Sequence, residues 1–267
     1  MDDFAPHPSS GIPPRPVKGR GAAGNVAHRF SIETRQAEDD GWEPAAPPNP
    51  KTRLLVDSAK SIISRNDSPD IGFDQSINPY RGCEHGCVYC YARPTHAYLG
   101  LSPGLDFETQ IFIKPDAPRL LREELGRPDY VCSVIALGTA TDVYQPFERK
   151  EKLTRRLLEI FLETRHPLSV VTKSSLIVRD IDLWAKLAEN RLAHVGVSLT
   201  TLDAALARQL EPRSSAPQAR LEAMRRLSDA GIPVSAFVSP LIPCLNDREL
   251  ENLLAAARDH GATSADY

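Results

Sequence analysis

From about residue 73 to its end the chain alternates short apolar runs with amphipathic helical stretches, and no other feature restricts the fold as much. Val131–Leu137, Leu168–Thr172, His194–Leu199 and Ile232–Val238 are strand-length apolar runs of the kind buried on both faces of a parallel sheet. A weaker first strand is expected around Ser76–Arg81. Between these runs, apolar residues recur at helical spacing in three groups: Leu153, Leu157, Leu158, Ile160 and Phe161; Leu183, Trp184, Leu187 and Ala188; Leu221, Met224 and Leu227. The third helix should stop at Gly231, with Pro233 just beyond. A last helix carries Leu250, Leu253, Leu254 and Ala257, with Asn246 or Asp247 as its cap and Glu249 in its first turn. A βαβα order implies a parallel sheet with helices packed outside it. The next strand should begin near Ala265–Tyr267, so the chain reads as a domain lacking its last strand and C-terminal region.

Residues 1–70 differ from residues 71–267. The runs 6–16 and 44–50 are dense in proline, and Lys18–Gly24 between them is basic and glycine-rich. Such sequence buries too little apolar surface to offset the entropy of ordering, so it is expected to be a mostly irregular extension. The basic run is either a solvated tail or a contact, with a polyanion or with the rest of the protein.

Three of the five cysteines, Cys83, Cys87 and Cys90, fall within eight residues at the spacing Cys-x3-Cys-x2-Cys. An odd count with such clustering fits metal binding in a reducing compartment better than a disulfide framework. The acidic start of the chain lacks the pattern of a secretory leader and no run is long enough to span a bilayer, so a cytoplasmic protein is expected. A net charge of −3 carries no global footprint for nucleic acid, although a local basic groove is compatible with it.

A fourth cysteine to close an electron-carrying cluster is missing at useful spacing, and Cys132 is expected to point into a strand core. A structural zinc site would have to recruit His85 or His96 as its fourth ligand. Three thiolates on an iron–sulfur cube would instead leave one iron open. The triplet follows the first strand, at the end of a parallel sheet where active sites gather. Lys173 ends an apolar strand, where a lysine is costly unless paired with an anion. Asp142 and Glu148 also read as groups that cap or pair near the following helix. Cys244 has no partner in the pattern.

The cysteine loop with Tyr89 in its last gap resembles the signature of the radical S-adenosylmethionine enzymes. Leu137–Glu148, Val171–Lys173, Val197–Leu199, Glu211–Arg213 and Ala230–Pro233 narrow the likeness to the branch related to spore photoproduct lyase, the DNA-repair-photolyase-like group. Lys18–Gly21 and Ser76–Cys83 look like a subgroup of that branch.

That resemblance implies an α/β fold, a partial open TIM-type barrel of about six β/α units. It implies a 4Fe–4S cluster on Cys83, Cys87 and Cys90, and S-adenosylmethionine chelating the open iron. One electron from a reductant such as flavodoxin or ferredoxin would cleave the cofactor to a 5′-deoxyadenosyl radical that takes hydrogen from substrate. By resemblance, Tyr89 lies near the adenine, Gly138, Thr139 and Asp142 near the amino group, Lys173 at the carboxylate and Ser198 at the ribose. Glu211 falls in a further family-like run. Tyr89 and Tyr91 are the candidates for catalytic relay. In the lyases that repair the spore photoproduct, a second-strand cysteine returns a hydrogen atom to the product radical. The corresponding residue here is Thr139, whose O–H bond is too strong for that task, so thymine-dimer repair by that route is not expected. Nucleic acid is one candidate substrate, a peptide or small metabolite another. A non-enzymatic iron–sulfur or zinc interaction module is the rival of a different class.

Overall fold

The computed structural model describes residues 17–31 and 50–267; the proline-rich run 6–16, and all of the run 44–50 but Pro50, lie outside them. In chain order the elements are β1 (Arg53–Val56), β2 (Ile63–Arg65), β3 (Gln75–Ile77), β4 (Tyr80–Arg81), α1 (Leu105–Thr109), β5 (Gln110–Ile113), α2 (Ala117–Leu125) and β6 (Ile135–Leu137). There follow α3 (Glu148–Glu151), α4 (Leu153–Glu163), β7 (Leu168–Thr172), α5 (Ile181–Glu189), β8 (Ala193–Ser198) and α6 (Ala204–Leu210). The chain ends with α7 (Pro217–Asp229), β9 (Val234–Phe237), α8 (Leu250–Asp259) and β10 (Ser264–Asp266).

Strands β3, β6, β7, β8, β9 and β10 run parallel in that order, and β2 pairs antiparallel with β3 at one edge. Among the described residues β2 and β10 do not meet, so the sheet is an open, partial barrel. The parallel order follows from the crossovers: α4, α5 and α7 each return the chain to the amino end of the next strand. Helix α4 turns Leu153, Leu157, Leu158, Ile160 and Phe161 inward, all fully buried. They share one buried core with Val170, Val195, Val197 and Val234 of the parallel strands. Each such side chain contributes about 1.5–3 kcal/mol on burial. Trp184 of α5 is buried in the same layer and donates its indole N–H to the Tyr144 hydroxyl at 2.9 Å.

Four expectations are corrected. The single strand expected at Ser76–Arg81 is two strands in two sheets, because Asn78-Pro79 interrupts it. Proline has no N–H for a ladder, and the chain leaves β3 for β4, which pairs with β5 in the three-stranded sheet β1–β5–β4. The second strand is only Ile135–Leu137, since β3 offers just Gln75–Ile77 as ladder partners. Val131, Cys132 and Val134 are therefore exposed, and Cys132 is not a core residue. Residues 53–65, read as irregular extension, contribute β1 and β2. The last helix is entered through a 3-10 turn at Asp247–Glu249, and Asn246 does not cap it. The Asn246 side chain turns inward, accepting from Ile242 N–H and donating to the Thr200 and Pro240 carbonyls. At the place expected for the following strand, β10 pairs Ser264–Asp266 parallel to Ser235–Phe237.

Candidate active site

The cysteine loop leaves β4 at the carboxyl end of the parallel sheet and is gripped from several directions. Cys83 N–H donates to Phe107 O (3.0 Å), Glu84 N–H to Gln145 Oε1 (3.0 Å) and Val88 N–H to Leu210 O (2.9 Å). The Arg93 guanidinium donates to Cys87 O at 3.0 Å. Cys83 and Cys87 are buried and Cys90 is partly so. Burial pushes the Cys83 thiol well up and the Cys87 thiol up to about 12. These thiols therefore keep their protons until a metal displaces them, which is how thiolate ligation couples to binding.

All three cysteines line one cavity of about 430 Å³. Its other walls are Gly138–Asp142 after β6, Val171–Lys173 at the end of β7, and Phe237 of β9. Gly138 makes the sharp exit from β6 at φ 78°, and a Cβ there would press on Thr141 O at 2.8 Å. Asn78 clamps the turn, donating to Thr139 Oγ1 (3.0 Å) and accepting from Ala140 N–H (2.7 Å). Tyr91, largely exposed on its other side, donates its hydroxyl to Thr139 O.

The structure thus brings Cys83, Cys87, Cys90, Tyr91, Gly138, Thr139, Asp142 and Lys173 onto one cavity. Tyr89, Ser198 and Glu211 form a layer behind it. Lys173 Nζ donates to Ser198 Oγ at 2.8 Å and lies 5.6 Å over the Tyr89 ring. Glu211 is 3.9 Å from the same amine and accepts from the Tyr89 hydroxyl and from Thr200 Oγ1. Its main partner is Arg220, a guanidinium 1% exposed that also donates to Ser198 O and Ser215 O. Burial works against the Glu211 charge, yet Arg220 and Lys173 hold the carboxyl down at about 2.

Asp142 is likewise engaged by the protein itself. It accepts from Thr172 Oγ1, Lys173 N–H and Tyr144 N–H, each at 2.8 Å, and pairs with His85 Nδ1 at 3.2 Å. Against the cost of burial, His85 and the backbone N–H groups keep its carboxyl at about 2. Its side chain fixes β6, β7 and the cysteine loop relative to one another, leaving the neighbouring backbone to face the cavity. Glu148 follows its capping reading: it is buried and accepts from Leu153 N–H, Thr154 N–H, Arg179 and the Tyr80 hydroxyl.

The basic N-terminal run makes contact with the rest of the protein. Arg20 donates to Glu108 O (3.0 Å), Pro50 O (2.9 Å) and Thr52 Oγ1 (2.9 Å). The fully buried Glu108 carboxylate accepts from Gly21 N–H (3.0 Å), Ala22 N–H (2.9 Å) and Arg93 (2.6 Å). Gly21 lies flush on the cysteine loop, so that a Cβ would strike Gly86 O. Gly86 in turn, at φ 67°, leaves room for the Glu108 carboxylate. Glu108, Arg220 and Asn78 were missed in the sequence. Only Arg220 carried a signal, lying on the Met224–Leu227 stripe at i, i+4, i+7.

The donor set suits a cluster better than a single ion. Among the described residues no three His, Cys, Asp or Glu side chains gather as one ion requires. The three thiols nevertheless border one cavity. His96 lies outside the cavity that the thiols line, and His85 lines it with Nδ1 held by Asp142.

Residues 77–257 match the Radical SAM superfamily profile, more than half of the chain. The chain belongs to the radical SAM superfamily. Its cofactors are accordingly an iron–sulfur cluster and S-adenosylmethionine. An uncharacterized protein of Mycobacterium tuberculosis is 40% identical over 193 residues, covering 72% of this chain and 57% of that protein. One of Methanocaldococcus jannaschii is 31% identical over 201 residues, covering 75% of this chain and 72% of that one. The chain thus spans little more than half of its mycobacterial relative. A cysteine-to-serine variant of spore photoproduct lyase superposes with a TM-score of 0.57 at 20% identity, over 78% of this chain and 57% of that one. A variant of the same lyase with bound AdoMet and dinucleoside spore photoproduct gives 0.56 at 19% identity, over the same shares of the two chains. These structural likenesses establish the shared fold. No described helix is long and apolar enough to cross a membrane.

Proposed function

We propose that the protein is a radical S-adenosylmethionine enzyme that binds one 4Fe–4S cluster on Cys83, Cys87 and Cys90. The observation that carries the reading is the single cavity joining the three thiols to the Gly138–Asp142 turn and Lys173. When bound and reduced, the cluster and cofactor supply a 5′-deoxyadenosyl radical that abstracts hydrogen from substrate.

The protein's own groups ligate, orient and shield. Lys173 is aimed along the cavity wall by Ser198 and Tyr89, placing a cation where a carboxylate of the cofactor would be held. The Gly138–Thr139 backbone, clamped by Asn78, offers carbonyls to its amino group. Ser198, Glu211 and the Tyr89 ring support this wall from behind. Of the two tyrosines, Tyr91 borders the cavity and is the better candidate for exchanging a hydrogen atom with substrate. The fold shared with a lyase solved with a dinucleoside makes damaged or modified nucleic acid the first substrate class to test. Thr139 argues against return of hydrogen by a thiol. Free thiols throughout the described residues suit a reducing compartment such as the cytoplasm.

Anaerobic reconstitution followed by chromatography for 5′-deoxyadenosine tests the reading. Deuterium passing from a labelled oligonucleotide into 5′-deoxyadenosine would identify the substrate class. A cluster-loaded, reduced protein forming none of this product would overturn the reading.

A further inference from the structure

The cysteine loop is enclosed unequally. On one side the cofactor cavity opens onto the thiols. Elsewhere Gly21 and Glu108 pack flush against Gly86. A second cavity, of about 380 Å³, reaches His85 of the loop between α3, the turn after β7 and the turn after α6. His85 is the one residue that lines both cavities. Its ring is buried at 2% exposure and held in place by Nδ1 on Asp142, while the His85 carbonyl accepts from Arg213 N–H.

The rim of this outer cavity is basic. Arg149 lines it, and the adjacent Lys150 on α3 is also exposed. Among the described residues neither has a carboxylate within ion-pair distance. Arg213 lines the opposite side, one third exposed and paired at 3.1 Å with the nearly buried Glu84. The acid beside Arg149, Glu148, is buried and turned to Arg179. In a chain of net charge −3, cations without an ion-pair partner beside the cavity that reaches His85 are a local exception.

We propose that this face docks a small acidic one-electron carrier protein, which passes its electron across His85 to the cluster. The proposal rests on the radical S-adenosylmethionine reading and names the partner of that site. In the step the carrier loses one electron and the cluster gains it, and no bond forms or breaks. Electrostatic steering raises encounter rates by about 10–1,000-fold and falls with salt. Rim charges act mainly on association rather than on the final contact. A transient redox complex needs only a small interface, less than about 1,200 Å².

The test is stopped-flow reduction of the reconstituted protein, followed by bleaching of cluster absorbance. Fully reduced flavodoxin serves as the acidic carrier, and the radical cation of methyl viologen as a small reductant with no need of the rim. Arg149→Glu and Lys150→Glu alter exposed side chains, and equal cluster content per chain confirms that folding is intact. With flavodoxin at low salt, the double variant should be reduced about tenfold more slowly than wild type, the gap closing at high salt. With methyl viologen the two proteins should react alike. Equal flavodoxin rates, equal slowing with both reagents, or wild type reduced by methyl viologen and not by flavodoxin would each overturn the proposal. A loaded wild-type cluster that neither reagent reduces would overturn the parent reading instead, and the docking proposal with it.

Discussion

Glutamine at position 211 removes one charge from a buried ionic layer that supports the cofactor wall. The Arg220 guanidinium it faces is 1% exposed and has no route to water. Taking away one partner of such a pair leaves the other charge buried without compensation, at a cost of about 3–5 kcal/mol. Glutamine keeps some of the hydrogen bonds, so about 3 kcal/mol is expected for Glu211→Gln. Linkage leads to a similar figure. The carboxyl lies at about 2 in the folded protein against an ordinary value of 4.5, and a tenfold change in proton affinity is worth about 1.36 kcal/mol, or roughly 3 kcal/mol in all. Because the folded value is depressed, this contribution is complete above about pH 5 and is lost as the pH falls through 4 towards 2. Thermal melts of the cluster-free protein by circular dichroism should show Glu211→Gln lower by about 6–12 °C at pH 7. The gap between wild type and variant should narrow below pH 5 and close only as the pH approaches 2. Pairing the change with Arg220→Met should recover at least about 1 kcal/mol of the loss, since the two residues act as a unit. A loss under about 1 kcal/mol, or strict additivity with Arg220→Met, would refute the reasoning.

The N-terminal run should be coupled to the cluster. Gly21→Ala places a methyl against Gly86 O, so it should speed chelator extraction of iron severalfold and expose residues 17–31 to protease. Unchanged extraction would show that the run is only packed nearby. Cys87→Ala should abolish the cluster's visible absorbance after reconstitution, whereas an intact spectrum would remove Cys87 from the ligands. Leu157→Ala, in the fully buried stripe of α4, should cost about 2–5 kcal/mol in urea denaturation. A cost under 1 kcal/mol would contradict the packing described.

The helices were legible because their apolar residues repeat over several turns. Five such positions in α4 leave little choice of face, and β7 to β9 are continuous apolar runs bounded by helices. The divided strand at residues 75–81 was hidden because sheet membership depends on partners distant in sequence. Asn78-Pro79 was its only local sign. The cysteine loop, Gly138 and Lys173 were readable as chemistry at strand ends, where the structure brings them onto one cavity. Asp142 was readable as a capping or pairing group and Glu211 as part of a family-like run, but their partners His85, Arg220 and Tyr89 were not, because these come from separate elements. Glu108 left no trace at all. It recognises two backbone N–H groups more than eighty residues earlier, and backbone donors carry no residue code.

The central claim is that three thiolates leave one iron open to the cofactor's amino and carboxylate groups. Electron–nuclear double resonance on the reduced cluster, with S-adenosylmethionine labelled with ¹⁵N at its amino nitrogen, tests it most directly. The account predicts a hyperfine coupling to that nitrogen in the wild-type protein. A loaded, reduced cluster that shows none with saturating cofactor would contradict it.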